Sequence, residues 1–288
     1  MAAELIDGKK VSAEIREKLK GEIADLKSKG IEPCLSVVLV GENKASQKYV
    51  ASKEKTCNAL GIKSIAHKIP DTTTQAELIA VVDRLNADPA VHGILVQLPL
   101  PKGLDEKEVM NRISPSKDVD GFGPDSLGKL MLDEPGFLPC TPHGAMKMLE
   151  AYNIDPGGKH AVVVGRSIIV GKPLALLLLQ KHATVTICHS RTPNLKEECL
   201  KADILCVAVG RAKMITGDMV KEGAAVIDVG INVNEEGKIV GDVDFDAAKE
   251  RAAYITPVPG GAGPMTIAML MYNTVMSAKM ANNLPVDM

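Results

Sequence analysis

Tryptophan is absent from this 288-residue chain, and three phenylalanines with four tyrosines are its only aromatic side chains. Each tyrosine therefore asks for a reason. No apolar run approaches the ~20 residues needed to span a bilayer, and the opening "MAAELIDGKK" lacks the charged-then-apolar order of a signal peptide. These absences predict no membrane association and a cytoplasmic location. A basic footprint is missing too: 34 Lys and Arg against 36 Asp and Glu leave a net charge of -2, with the cations dispersed along the chain. That distribution excludes nucleic acid and membrane surfaces as partners and points to a small ligand. Cys34, Cys57, Cys140, Cys188, Cys199 and Cys206 contain no C-x-x-C pair, and several sit in apolar runs, so they read as reduced, structural thiols. The six histidines never fall at ligand spacing, so no protein-bound metal is expected. No internal repeat or low-complexity segment is evident.

What is present is a 45% hydrophobic content, enough for real cores, in a chain of about two domains at roughly 150 residues each. Apolar runs bounded by turn residues alternate with amphipathic stretches, which is β/α repetition. In the first half the runs 34–41, 62–70 and 92–100 read as strands, with helices near 8–29, 43–60 and 74–87. In the second half 159–165, 183–190, 202–210, 224–230 and 252–260 read as strands of a doubly wound sheet covered on both faces. Between them "SPSKDVDGFGPDSLGKLMLDEPGFLPC", rich in Pro, Gly and Asp, reads as a connector placed to line a cleft.

The most legible chemistry of the second half is "VVVGRSIIVGKPLALLL". An apolar strand stops at Gly165, a turn carries Arg166 and Ser167, and a helix begins near Gly171, so backbone N–H groups can face a phosphate. The glycine spacing departs from G-x-G-x-x-G, and a plain βα turn stays open as the alternative. The next strand ends in His189, Ser190 and Arg191, where folds that prefer NAD carry an acidic residue for the ribose. A hydroxyl and a cation suit a 2′-phosphate, which favours NADP, unless Arg191 is merely a solvated charge.

Tyr49 and Lys53, four residues apart in "SQKYVASKEK", fall on one helix face with Ser46 a turn earlier. An amphipathic surface helix would look the same. Short-chain dehydrogenases also use Tyr-x-x-x-Lys, but after their dinucleotide fold, whereas here the pair precedes the Gly165 turn by more than 100 residues. Taken with "GILVQLPLP" at 93–101, "KDVDGF" at 117–122, "GRSxxVGxP" at 165–173 and "TPVPGGAGPMT" at 256–266, the pattern resembles the methylenetetrahydrofolate dehydrogenase/methenyltetrahydrofolate cyclohydrolase family over essentially the whole chain.

The resemblance implies two α/β domains with a cleft between them: a folate-binding catalytic domain, 1–120, completed by a C-terminal helix at 264–288, and a Rossmann-like NADP-binding domain, 121–263. It implies that Lys53 is the active-site lysine, Tyr49 its partner, Gln97 the glutamine contacting that lysine, and Asp120 the carboxylate gripping the pterin. A carboxylate suits the donor-rich amino-pyrimidine edge, although an Asp in D-x-D-G also forms turns. Leu98, Pro99, Gly260, Gly261 and Pro264 are further implied substrate contacts, and Ile231 joins Gly165, Arg166, Ser167, Gly171, His189, Ser190 and Arg191 as an implied cofactor contact. Two departures stand out. "FGPDS" places Gly123 and Ser126 where many members have His and Asn, which puts that loop's contacts in question, and Ala262 replaces a valine. The implied activity is oxidation of 5,10-methylenetetrahydrofolate with NADP, then hydrolysis to 10-formyltetrahydrofolate, by a homodimer joined through the dinucleotide domains. The apolar segments 202–210 and 213–220 are compatible with that assembly. A dehydrogenase lacking the hydrolase step, or a non-catalytic NADP-binding protein of this fold, are the alternatives.

Overall fold

Alternating apolar and amphipathic stretches become β/α units in a computed structural model that describes residues 3–286. In chain order the first elements are β1 (Glu4–Leu5), α1 (Gly8–Ser28), β2 (Cys34–Val40), α2 (Lys44–Leu60), β3 (Lys63–Ile69), α3 (Gln75–Ala87), β4 (Gly93–Val96), α4 (Glu106–Arg112), α5 (Pro124–Leu132) and α6 (Cys140–Ala151). There follow β5 (His160–Val164), α7 (Gly171–Gln180), β6 (Thr184–Cys188), α8 (Leu195–Leu200), β7 (Ile204–Val207), β8 (Ala225–Asp228), β9 (Asn232–Val233), β10 (Ile239–Val240), α9 (Phe245–Ala248), β11 (Tyr254–Ile255) and α10 (Ala262–Ala281). They form two compact units, one of Ile15–Cys140 with Met269–Met288, the other of Met1–Glu14 with Thr141–Ala268.

The first unit is built on a parallel sheet of order β3-β2-β4. Every residue of β2 is buried, because it is the central strand and both its faces are covered, whereas the edge strand β3 is buried at none of its positions. Leu78 and Val82 of α3, Val38 of β2, Ile94 of β4 and Val109 of α4 share one core. Asn43 starts α2: its Oδ1 accepts from the Ala45 and Ser46 N–H groups, two donors a helix start leaves orphaned. Gly61, at φ 82°, ends it in the left-handed conformation. The connector expected at 114–140 contains the helix α5. Pro124 at its first turn is compatible with a helix start, and Asp133, at φ 58°, closes it. Composition concealed a helix whose two ends are made of loop-forming residues.

The second unit carries a six-stranded, all-parallel sheet of order β1-β11-β8-β7-β5-β6. After β5 the chain goes first to one side, as β6, and then to the other, as β7. That reversal is the topological switch point at whose carboxyl-end crevice open α/β sheets take their ligands. Val162, Val164, Leu205, Val207, Val226 and Ile255 form its core. Segments 202–210 and 213–220, expected to be compatible with an assembly face, spend their apolar side chains on this core: all of β7 is buried, as are Ile215 and Val220. Residues up to Glu14 count with the nucleotide unit because β1 extends its sheet, and 121–140 count with the first unit. Among the described residues no helix is long and apolar enough to cross a membrane.

Candidate active site

The α2 helix delivers Lys53 inward, where it is only 9% exposed, and its Nζ donates to Gln97 Oε1 at 3.0 Å. Gln97 follows β4 directly, and its Nε2 donates to the Leu98 carbonyl at 2.7 Å, so the amide's orientation is fixed from both ends. The Leu98–Pro99 peptide is cis. Burial lowers the Lys53 ammonium below its ordinary range, and the Asp120 carboxylate partly offsets that. The converse holds for Asp120, which burial pushes above the usual carboxylate range while Lys53 and a hydrogen bond with Cys140 pull it back. A lysine that can release its proton beside a carboxyl group is suited to moving protons. Tyr49, a turn before Lys53, is 42% exposed, with its phenol raised by partial burial. A large exposed aromatic in so aromatic-poor a chain is available for stacking.

Asp118, two residues before Asp120, plays a different part. Its Oδ2 accepts from the Gly123 N–H at 2.8 Å and from Ser126 Oγ at 2.6 Å, and its Oδ1 from the Phe122 N–H at 3.3 Å. Desolvation pushes its carboxyl up to about 6 despite these bonds. The two departures in "FGPDS" thus both bond to one buried carboxylate. A side chain at Gly123 would put a Cβ 2.8 Å from that oxygen, and Ser126 donates to it. Asn273 of α10 holds the same loop from behind, its Nδ2 donating to the carbonyls of Val119 at 2.8 Å and Leu138 at 3.0 Å.

In the second unit the strand-turn-helix begins at Gly165, at φ 130°, where a Cβ would lie 2.2 Å from the Ala208 carbonyl oxygen. Only glycine lets the backbone turn there, and the bare backbone is a cradle that a phosphate can approach. Ser167 Oγ accepts from the N–H groups of Val170 at 3.1 Å and Gly171 at 3.4 Å, so two donors at the start of α7 are engaged by the turn's own hydroxyl. After β6, the Arg191 N–H donates to His189 Nδ1 at 3.1 Å, and the His189 N–H to Thr192 Oγ1 at 2.8 Å. This turn leaves Ser190 and Arg191 exposed, and among the described residues no carboxylate pairs with Arg166 or Arg191. Ile231, 48% exposed, follows β8. The Gly260 carbonyl accepts from the Lys9 N–H at 3.1 Å, and Gly261 and Pro264 follow it at the start of α10 in this unit. The hydroxyl, cations and glycine cradle fit a dinucleotide with a 2′-phosphate. No group of His, Cys, Asp and Glu able to hold a metal occurs among the described residues.

Besides Asp118, three residues carry no role that the sequence alone shows: Asn273, Asp228 and Asp242. The two aspartates carried a signal, since each breaks an apolar segment, "AAVIDVG" and "IVGDVDF". Both are buried, and Asp228 Oδ1 accepts from Gly230 and Asp242 N–H groups at 2.9 and 3.0 Å.

Two family models match the chain: the tetrahydrofolate dehydrogenase/cyclohydrolase catalytic domain over residues 6–120, and its NAD(P)-binding domain over 139–282. The bifunctional protein FolD of Thermodesulfovibrio yellowstonii is 60% identical over 280 residues, covering 97% of this chain and 98% of that one. The FolD of Bacillus subtilis is 56% identical over 279 residues, covering 97% and 99%. Among solved structures, the Campylobacter jejuni FolD methylenetetrahydrofolate dehydrogenase/cyclohydrolase superposes with a TM-score of 0.96 at 55% identity, covering 98% of this chain and 100% of that one. The Trypanosoma brucei methylenetetrahydrofolate dehydrogenase-cyclohydrolase, complexed with NADP cofactor and inhibitor, superposes with a TM-score of 0.94 at 40% identity, covering 98% and 99%.

Proposed function

The chain belongs to the tetrahydrofolate dehydrogenase/cyclohydrolase family, and on that premise we propose which of its residues carry each step. The enzyme oxidises 5,10-methylenetetrahydrofolate to 5,10-methenyltetrahydrofolate with NADP and hydrolyses the product to 10-formyltetrahydrofolate. NADP, when bound, supplies the hydride acceptor. For the oxidation, the protein's work is alignment and exclusion of water: Asp120 accepts from the pterin's amino-pyrimidine edge, Tyr49 stacks against the folate, and Leu98 and Pro99 shape its surroundings. Gly165, Arg166, Ser167 and Gly171 hold the phosphates, and His189, Ser190, Arg191 and Ile231 the adenosine and nicotinamide flanks.

The hydrolysis adds water to an amidinium-like carbon and opens the ring, so protons must move. Lys53 is the group we assign to them, and the observation that carries this assignment is its 3.0 Å bond to Gln97 in a desolvated setting beside Asp120. Asp120 and Gln97 position it. We further propose a cytoplasmic homodimer joined through the nucleotide unit, where Val233 and Ile239 are 68% and 47% exposed, with its product passing to purine biosynthesis. Supplying methylenetetrahydrofolate and NADP while following both NADPH and methenyltetrahydrofolate tests the activity. NADPH formation with only transient methenyl species fits the bifunctional enzyme, lasting methenyl accumulation matching NADPH a dehydrogenase alone, and no NADPH a binding protein. A monomer in sedimentation equilibrium at micromolar concentration would contradict the dimer.

A further inference from the structure

Asp242 is completely buried, and among the described residues no lysine or arginine forms an ion pair with it. A buried carboxylate without a cation must be compensated by hydrogen bonds, and this one has four. Oδ2 accepts from the backbone N–H groups of Val209 at 2.6 Å and Gly210 at 2.9 Å; Oδ1 accepts from the Arg211 N–H at 2.8 Å and from Asn232 Nδ2 at 2.9 Å. Three consecutive N–H groups converging on an anion form the kind of backbone nest that elsewhere holds phosphate. Here an internal carboxylate fills it.

The segments joined in this way are not arbitrary. Val209–Arg211 follow β7 at its carboxyl end, and Asn232 follows Ile231 beyond the carboxyl end of β8. The neighbouring strand β5 runs out into Gly165, whose missing side chain leaves room for the Ala208 carbonyl directly before the nest. One side chain therefore fixes the backbone beside the phosphate turn and the backbone that carries Ile231, both at the end of the sheet where such folds bind ligands.

We propose that Asp242 is a positioning residue for NADP, holding the 208–211 loop and the 231–232 segment at the spacing the dinucleotide needs. It touches neither substrate nor reacting atoms. The proposal rests on the NADP-dependent reading above. Asparagine is nearly isosteric with aspartate but can accept on one side only. Its amide NH2 would face two of the four donors, so Asp242→Asn breaks half of the clamp and adds donor–donor repulsion without opening a cavity.

The test measures four quantities on the same Asp242→Asn preparation: NADP affinity by calorimetric titration of the folate-free protein, KM for NADP, dehydrogenase kcat at saturating NADP, and NADP-free hydrolysis of methenyltetrahydrofolate. We expect Kd and KM for NADP to rise about tenfold, as suits loss of bonds to a charged acceptor, with kcat changed by less than about threefold and hydrolysis by less than about twofold. Unchanged NADP affinity in a folded variant overturns the proposal. So does an equal fall in both activities, which would show a merely structural role. Should Asp242→Asn fail to fold, Asn232→Leu, which removes one of the four donors, is expected to raise the NADP Kd about threefold with the same sparing of hydrolysis, and an unchanged Kd there overturns the proposal equally. Wild-type protein that reduces no NADP would overturn the family-based activity instead.

Discussion

Replacing Lys53 by methionine keeps an unbranched side chain of similar length and removes the ammonium, so packing of α2 changes little while three things happen at the site. Gln97 Oε1 loses the donor at 3.0 Å, which costs up to about 1–3 kcal/mol if the oxygen stays unpaired and less here because Gln97 is only half-buried. Asp120 loses the cation that pulls its carboxyl down, so its pKa climbs further above the usual range. The hydrolytic step loses its proton carrier, an effect of about 10²–10⁴-fold in rate. Hydride transfer needs no proton from this amine and should lose only alignment, a smaller factor. The sign of the pH effect follows from Asp120. If its ionised form grips the pterin, the variant's KM for folate should worsen as pH falls, and at a higher pH than in the wild type. The assay pairs NADP-free hydrolysis of methenyltetrahydrofolate with NADP-dependent methenyl formation on one preparation, folding being checked by circular dichroism. Methenyltetrahydrofolate should accumulate during turnover. Hydrolysis within about threefold of wild type would remove Lys53 from the mechanism and return "YVASK" to an ordinary helix face.

Cofactor choice should follow the turns after β5 and β6: NADP should exceed NAD in kcat/KM, and Arg166→Ala in the first turn and Ser190→Asp in the second should each narrow the gap, whereas equal use of both by the unmodified enzyme would refute the phosphate assignment. Gly165→Ala forces a Cβ to within 2.2 Å of the Ala208 oxygen at a φ of 130°, so melting temperature and NADP affinity should both drop, and a variant with wild-type affinity would show that the turn is not a cofactor cradle. Ser126→Ala removes the 2.6 Å bond that favours ionised Asp118, with a loss of about 1.5–3 kcal/mol expected at pH 7. Because Asp118 titrates near 6, it is ionised above that pH and neutral well below it. The deficit should therefore shrink between pH 7 and pH 5 in thermal melts, and a pH-independent deficit would contradict it.

The parts of the fold legible in the sequence were those with one dominant physical cause. Strands β2, β4, β5, β7 and β8 announce themselves as apolar runs because parallel strands covered on both faces tolerate little else. Strands β1, β9 and β10 have two residues each, too short for any period to show. Helix α5 hid behind Pro124 and Gly123, residues equally suited to a loop or to a helix start. In the site, Tyr49 and Lys53 were legible because a helix fixes their spacing, and Gln97 through the resemblance of the strand end it follows. Asp118 shares the D-x-D-G motif with Asp120, and only the folded turn reveals that its carboxylate bonds within the loop. The Asp242 clamp joins residues 10 to 33 positions away, a separation at which a sequence shows an isolated acid and nothing of its partners.

The interleaved make-up of the two units bears on how the enzyme is made. The unit holding Lys53 needs Met269–Met288, and the Asn273 and Ser277 side chains in that segment bond the carbonyls of Val119, Leu138, His92 and Ser116. On the ribosome, therefore, the portion synthesised first is completed last. Most of the nucleotide-binding unit follows in one stretch, Thr141–Ala268, and its edge strand β1 is already waiting. It can close while its predecessor still lacks the helix that seals it. For as long as translation runs at roughly 5–20 residues per second, the first unit's apolar surface stays open, so chaperone demand should fall on the early portion of the chain. Cutting the gene at the apparent boundary near Cys140 would yield two fragments that each lack a piece encoded in the other.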